Sequence, residues 1–224
     1  MKISYWGTRG SIATNSSETQ IYGGHTPCVA VGQSDYLLIL DAGSGIIQLG
    51  ELLLSRVGVN IHILLTHLHM DHIQGLGFFK PFFKKGMTVH LWGPPGNSPL
   101  HSRLNTYLSP PLFPVRIRDF DCTLHIYETP ASPFTIGPFS IEARHICHPG
   151  PTLGYRVSNQ KSSMAYLPDH EPALGVRDFP GSPEWTSGYS IAREVDVLIH
   201  DAQFTDDEYD DRQGWGHSSI THAV

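Results

Sequence analysis

Residues 63–75 read ILLTHLHMDHIQG and crowd four candidate metal ligands into six positions, namely His67, His69, Asp71 and His72. A short apolar run precedes them, which is typical of a buried strand. Three imidazoles and a carboxylate make a poor core, because each buried polar group needs a hydrogen-bond partner. They make good ligands for zinc, which binds neutral imidazole and carboxylate. The stretch therefore predicts part of a metal site at the end of a strand.

The spacing within this stretch indicates two metal positions. Residues i and i+2 of an extended loop face the same way, so we expect His67 and His69 to bind one ion together. Asp71 and His72 follow the turn and are expected to face a second position beside the first. A catalytic pair of ions needs further ligands from elsewhere in the chain, including a carboxylate that bridges the ions.

The rest of the chain is predicted to be an α/β protein with many strands and a few helices, because short apolar runs alternate with glycine, proline and asparagine clusters. We predict a hairpin over residues 28–41, an amphipathic helix over 45–56 and a helix from residue 71 towards residue 83. Further strands are predicted at 59–67, 87–93, 123–128 and 139–150, a hairpin at 152–169, and a buried strand at 195–201. The length predicts one domain over residues 1–224.

Polar residues recur where these predicted strands end: Asp41, His67, His148, Asp169 and His200. Strand ends at one edge of a sheet are rigid positions at which side chains converge on a common point. The pattern therefore predicts that the site is built from the ends of several strands.

Position favours His148 and Asp169 as the missing ligands, although each has a competitor. His145 competes with His148, but the sequence HPG at 148–150 places His148 at the strand end and His145 within the strand. His170 competes with Asp169 in the same way. His217 precedes a predicted helix start, and its spacing alone fits a ligand and a surface histidine equally well.

Composition narrows the function classes. The formal net charge is −6 and no basic run stands out, so nucleic acid is not an expected partner. The three cysteines, Cys28, Cys122 and Cys147, lack close spacing, which suits a reducing compartment. No stretch approaches the 18 or so apolar residues of a membrane span, and the N-terminus does not resemble a secretory signal. We expect a cytoplasmic protein with no membrane partner.

Several further segments carry a family resemblance: WGTRGSI, YGGHTPCVAV, LDAGSGI, HPGPTLGYRV, YLPDHE, IHDAQFTDDEY and GWGHS. Together with the HxHxDH pattern at 67–72, they resemble the metallo-β-lactamase superfamily, in the branch of phosphodiesterases and ribonuclease Z. The resemblance implies a four-layer αββα sandwich, classed as α/β or α+β. The chain ends at SSITHAV, within the first turn of a helix, so we expect the C-terminal part of that fold to be absent.

The resemblance also assigns a ligand set to two divalent ions: His67, His69 and His148 for one, Asp71, His72 and His217 for the other, and Asp169 as the bridge. Zinc is the expected metal, and manganese or iron fits the same ligands. Asp41 matches an aspartate that supports the site from behind the ligands. His200 matches a segment in which a histidine donates a proton.

The implied activity is hydrolysis of small or cyclic phosphodiesters through a metal-bridging hydroxide, with Asp71 orienting it or accepting its proton and His200 protonating the leaving group. Ribonuclease Z carries a long tRNA-binding insertion between its third histidine and its bridging aspartate, whereas 20 residues separate His148 from Asp169 here. The alternatives are a thioester or lactone hydrolase, a tRNA 3′-processing endonuclease, and a non-hydrolytic metal-binding sensor. The expected partner is a small-molecule substrate, and a homodimer is retained as a candidate assembly.

Overall fold

The computed structural model describes residues 1–56, 58–175, 179 and 181–224. Its contacts divide the chain into two compact units, Met1–Thr129 and Pro130–Val224. Each unit contains one β-sheet together with helices, which agrees with the predicted mixture of strands and helices. The single domain over residues 1–224 stays a prediction.

The described residues of the first unit form six strands and three α-helices: β1 (Lys2–Gly7), β2 (Cys28–Gln33), β3 (Tyr36–Leu40), α1 (Ile46–Leu53), β4 (Asn60–Leu64), α2 (Met70–Ile73), β5 (Thr88–Gly93), α3 (Leu100–Tyr107) and β6 (Thr123–Glu128). The strands lie in the order β1-β2-β3-β4-β5-β6. The pairs β1–β2 and β2–β3 are antiparallel, and β3, β4, β5 and β6 are parallel. Parallel strands end at the same edge of the sheet, which places the segments after β3 and β4 side by side.

Helix α1 closes one face of this sheet and confirms the amphipathic helix expected over residues 45–56. Its buried side chains Ile46, Leu49 and Leu53 belong to the same apolar cluster as Ile39 and Ile61 of the sheet. Full burial of such a side chain contributes about 1.5–3 kcal/mol, so this face fixes α1 on the strands that carry the candidate ligands.

The helix predicted from residue 71 towards residue 83 is wrong in its length. The α-helix covers Met70–Ile73 alone, and two 3₁₀ turns follow at Leu76–Phe78 and Lys80–Phe83. A Cβ atom on Gly75 would lie 2.2 Å from a backbone oxygen of the loop after β3. The chain therefore packs backbone against backbone at Gly75, and a regular helix does not continue past it.

In the second unit, the part of the chain that the structure describes forms five strands and three α-helices: β7 (Phe134–Ile136), β8 (Phe139–His145), β9 (Leu153–Ser158), β10 (Ser163–Leu167), α4 (Tyr189–Ala192), β11 (Val197–His200), α5 (Asp206–Asp210) and α6 (Ile220–Ala223). The strand order is β11-β10-β9-β8-β7. β10 and β11 are parallel and the other neighbours are antiparallel, so β8, β10 and β11 all end at one edge. The predicted hairpin at 152–169 is confirmed as β9 and β10.

Two strand predictions in this unit need correction. β8 ends at His145, so His148 lies in the loop three residues beyond the strand and not at its last position. β11 was expected to be buried, yet it is the terminal strand of its sheet, and Val197 and Leu198 are 37% and 44% exposed. An apolar run predicts a strand, but its place in the sheet depends on pairing partners that are distant in sequence.

Among the residues that the structure describes, none of the helices has both the length and the apolar character that crossing a membrane requires.

Candidate metal centre

The first unit gathers the four polar residues of the opening stretch just after β4. The ring centroid of His67 lies 4.4 Å from that of His69 and 4.2 Å from that of His72. Asp71 Oδ2 lies 3.7 Å from His72 Nε2. His67 and His72 are buried, whereas His69 is exposed. Within this unit, the four side chains that the sequence analysis grouped do lie together.

Asp41 holds two of these imidazoles in place. It follows β3 directly, with a positive φ of 61° and a fully buried side chain. Its carboxylate accepts hydrogen bonds from His72 Nδ1 at 2.8 Å and from the amide and hydroxyl of Thr66 at 2.7–3.0 Å. Because the Thr66 hydroxyl donates to Asp41, it accepts from His67 Nδ1 at 3.0 Å. Both rings therefore carry their proton on Nδ1, and the lone pair of each is on Nε2.

Asp71 has its own support within this unit. Its Oδ2 accepts a hydrogen bond from the backbone amide of Ser11 at 2.9 Å. Ser11 has a positive φ of 68°, so the loop before β2 bends to present this amide. The contact holds one carboxylate oxygen in a defined direction next to His72.

The second unit gathers a matching set at the edge where β8, β10 and β11 end. His148 Nε2 lies 3.6 Å from Asp169 Oδ2. Asp169, Asp201 and His217 each offer a ligand atom within 4.8 Å of the others. The rings of His148 and His217 are 5.0 Å apart between centroids. Three predicted ligands therefore lie together within this unit, and Asp201 joins them.

Oxygen atoms also fix the histidines of the second unit. His148 Nδ1 donates to the carbonyl of Gly216 at 2.7 Å, and His217 Nδ1 donates to Asp201 Oδ2 at 2.6 Å. Each ring therefore presents the lone pair of Nε2, as His67 and His72 do. Imidazoles oriented in this way, together with carboxylates, suit a divalent ion that binds nitrogen and oxygen. The donor set on each unit fits the metals that the resemblance implies.

Asp201 was missed by the sequence analysis. It follows β11 directly and also accepts hydrogen bonds from the amides of His170 and Gln203. Its place after a strand is the same as that of Asp41 after β3, so a comparable sequence signal was present. Glu171, which is also buried and hydrogen-bonded in this unit, gives no such signal.

The predicted proton donor, His200, has both ring nitrogens in hydrogen bonds. Nδ1 donates to the carbonyl of Asp201 at 2.7 Å, and Nε2 accepts from His170 Nδ1 at 2.8 Å. Burial lowers the pKa of His200, and burial followed by the neighbouring His200 lowers the pKa of His170 to about 3. Both rings are therefore neutral near pH 7. His145, the competitor of His148, is exposed at the last position of β8.

Comparisons with known proteins identify the family of the chain. A family model described as the beta-lactamase superfamily domain matches residues 37–224. An uncharacterised protein of Mycobacterium tuberculosis is 29% identical over 216 residues, which cover 92% of this chain and 68% of that protein. Ribonuclease Z of Salinibacter ruber is 27% identical over 89% of this chain and 74% of its own length.

Solved structures give the same result for the fold. The short form of human tRNase Z matches with a TM-score of 0.69 at 20% identity, and the match covers 99% of this chain and 85% of that one. The predicted metallo-β-lactamase fold is thus confirmed. The chain belongs to the metallo-β-lactamase superfamily and is a metal-dependent hydrolase of that superfamily, with ribonuclease Z among the proteins that it resembles.

Proposed function

We propose that the chain hydrolyses small phosphodiesters with the help of two divalent ions. The proposed ligands are His67, His69 and His148 for one ion, Asp71, His72 and His217 for the other, and Asp169 as the bridge. One observation carries this proposal: four of the five imidazoles donate from Nδ1 to an oxygen of their own unit and so offer Nε2 as a ligand. A chance cluster of histidines has no reason to share this orientation.

Zinc is the proposed metal, and manganese or iron fits the same nitrogen and oxygen donors. When bound, a pair of such ions lowers the pKa of a water molecule and neutralises charge that develops on a phosphoryl group. The protein itself supplies orientation, because Asp41, Thr66, Asp201 and the Gly216 carbonyl fix the ligand rings before any ion arrives.

Asp71 has two roles in this proposal. One carboxylate oxygen is fixed by the Ser11 amide, and the carboxylate as a whole lies beside His72. It therefore binds an ion and orients the attacking water or accepts its proton. Asp71 is therefore proposed as a catalytic residue as well as a metal ligand.

His200 stays the proposed proton donor to the leaving alkoxide, acting together with His170. The proton on His170 Nδ1 lies between the two rings, and the lowered pKa values make both rings neutral near pH 7. Because Nε2 of His200 is an acceptor in this pair, His200 donates only after Nε2 has taken up a proton from solvent and the hydrogen bond between the rings has opened; the imidazolium then gives that proton to the leaving alkoxide and returns to the neutral form. The demand for such a proton is greatest when the leaving group is a poor one.

Small diesters are favoured over tRNA by the segment between His148 and Asp169. The hairpin of β9 and β10 occupies it, and its turn is closed by Asn159 Oδ1, which accepts from the amides of Lys161 and Ser162. This segment therefore has no long arm for an RNA. The net charge of −6 also opposes a polyanion. RNA processing remains the second candidate, because relatives such as that of Salinibacter ruber are named ribonuclease Z.

The first test is hydrolysis of bis(p-nitrophenyl) phosphate by metal-stripped protein, with Zn²⁺ or Mn²⁺ restored in separate reactions. We expect turnover to return with metal and to fall by more than about 100-fold in His67→Ala, since a ligand is lost. Two bound ions without turnover would instead favour a thioester or lactone substrate. Visible absorbance from bound iron, with no hydrolysis, would favour a non-hydrolytic metal-binding sensor.

The second test separates the two phosphodiester classes. Active protein is given 2′,3′- and 3′,5′-cyclic nucleotides in parallel with a 3′-extended precursor tRNA. We expect turnover of a cyclic nucleotide and none of the RNA. Cleavage of the RNA at its 3′ extension, with inert cyclic nucleotides, would reverse the substrate assignment.

A further inference from the structure

Glu171 is a buried carboxylate, 1% exposed, two residues after Asp169. Its Oε1 accepts hydrogen bonds from the Tyr209 hydroxyl at 2.8 Å and from the Gly214 amide at 2.7 Å, and its Oε2 accepts from the Gly216 amide at 2.8 Å. Three donors to one buried carboxylate satisfy it well, because hydrogen bonds to a charged acceptor are about twice as strong as neutral ones.

The loop that Glu171 holds carries one proposed ligand and fixes another. The carbonyl of Gly216 accepts from His148 Nδ1, and the next residue is His217, whose Nδ1 donates to Asp201. The two amides bonded to Glu171 belong to this same loop. A displacement of the loop therefore moves both imidazoles together.

The backbone of Glu171 binds the loop after β8, which carries His148. Its amide donates to the carbonyl of Cys147 at 2.9 Å, immediately before His148. One residue thus connects the loop after β8 with the loop before α6. Burial, together with the hydrogen bond to Glu171, raises the pKa of Tyr209 well above its usual value, so the phenol stays protonated and keeps donating.

Gly216 is the residue at which this loop lies against His148 and Pro149. It has a φ of 87°, and a Cβ atom there would lie 2.6 Å from His148 Nδ1 and 2.3 Å from Pro149 Cδ. Gly214 has a similar φ of 83°, but a Cβ atom there would meet nothing within 4 Å. The two glycines therefore share a backbone conformation and differ in the space beside them.

We propose that Glu171 is a positioning residue for the metal centre: it sets the loop that places His217 and orients His148. This inference rests on the proposed metal site. It assigns Glu171 no contact with substrate. The ligands of the first unit have supports of their own, since His67 donates to the Thr66 hydroxyl and that hydroxyl donates to Asp41.

The test compares Glu171→Gln with Tyr209→Phe in the full chain. The glutamine amide group would face at least one N–H donor of the loop, whereas the phenylalanine removes one contact and leaves both loop amides bonded. We expect the zinc affinity, measured by competition with a chromogenic chelator, to fall about 10- to 100-fold in Glu171→Gln and less than about threefold in Tyr209→Phe. The visible spectrum of the Co²⁺-loaded protein should change in Glu171→Gln, because it reports ligand geometry and not stability.

A second pair of variants keeps the carboxylate and tests the same geometry. Gly216→Ala should weaken zinc binding about as much as Glu171→Gln, because its methyl group would displace the His148 ring. Gly214→Ala carries the same backbone strain without that collision and should bind zinc within about threefold of the wild type. If Glu171→Gln does not fold, this pair still tests whether zinc binding depends on how the loop lies against His148, which the proposal requires.

The outcomes separate the two proposals. Wild-type affinity and an unchanged cobalt spectrum in Glu171→Gln, or equal zinc affinities in Gly216→Ala and Gly214→Ala, would overturn the role of Glu171 and leave the metal site intact. A wild-type protein that binds no zinc, manganese or iron would overturn the proposed function, and this inference with it.

Discussion

The first unit holds two groups of three histidines: the loop histidines His67, His69 and His72, and the stacked histidines His62, His90 and His125. The stacked histidines are paired in register across β4, β5 and β6. Their rings lie nearly parallel, with interplanar angles of 9° and 17° and centroid distances of 4.4 and 4.9 Å. The loop histidines instead meet at steep angles, 48° and 80°, in a tight turn.

The two groups also differ in their hydrogen-bond partners. Trp92 Nε1 donates to His62 Nδ1 at 3.3 Å, and the Tyr127 hydroxyl pairs with His90 Nδ1 at 3.3 Å. Among the loop histidines, His72 donates to the Asp41 carboxylate and His67 donates to the Thr66 hydroxyl. A carboxylate behind an imidazole raises its basicity and fixes its tautomer, whereas an aromatic neighbour packs against it and adds no charge. The partners of a histidine, and not the number of histidines, decide whether it suits a metal.

The largest expected difference between the groups is in metal binding. His69 and His125 are both exposed, so replacing either with alanine should change the free energy of unfolding little. His69→Ala removes a proposed ligand and should lower metal-dependent turnover by more than about 100-fold. His125→Ala should leave turnover and bound metal unchanged. Metal analysis and a diester assay on both variants check this, and equal losses would abolish the distinction between the groups.

The next effect concerns the carboxylate behind the loop histidines. Asp41→Asn keeps a residue that tolerates a positive φ, but its amide group would face an N–H of His72 or Thr66. We expect a loss of about 1–3 kcal/mol in unfolding free energy and a 10- to 100-fold loss in metal affinity, roughly as for other supports of metal ligands.

Asp35→Asn is the control for this variant. Asp35 is exposed and accepts one side-chain hydrogen bond, from Asn60 at 3.0 Å. Urea unfolding and chelator competition should find this variant within about 0.5 kcal/mol of the wild type. If the Asp41 variant behaves in the same way, the carboxylate does not support the histidines.

The loop histidines could be predicted from the sequence, since their ligand pattern occupies six consecutive positions after an apolar strand. The stacked histidines could not, because His62, His90 and His125 are separated by about 30 residues and meet through strand register. Glu171 was missed for the same reason, as its partners Tyr209 and Gly216 lie far along the chain.

The errors in the predicted helices and strands have a similar origin. The proline-rich segment from 94 to 114 contains helix α3, which its composition did not indicate. The helix expected after Asp71 ends early, because Gly75 packs against the loop after β3. β11 has the apolar sequence of a central strand but lies at the end of its sheet. In each case the outcome depends on packing or strand pairing that the local pattern does not contain.

The last expected effect is a pH dependence of stability that belongs to the stacked histidines. Burial, followed by the charge of neighbouring His90, lowers the pKa of His62 to about 4. Between pH 6.5 and 4 the unfolded chain therefore binds more protons at His62 than the folded chain, so this residue makes stability fall as the pH falls. The contribution is complete above about pH 6.5, and from pH 7.5 to pH 5 about 2 kcal/mol should be lost.

His62→Phe keeps a flat ring in the stack and removes the titration. Urea unfolding of both proteins in EDTA at the two pH values should show a loss smaller by about 2 kcal/mol in the variant. Because all other titrating groups are shared, an identical loss in both proteins would mean that His62 is protonated as readily in the folded stack as in the unfolded chain.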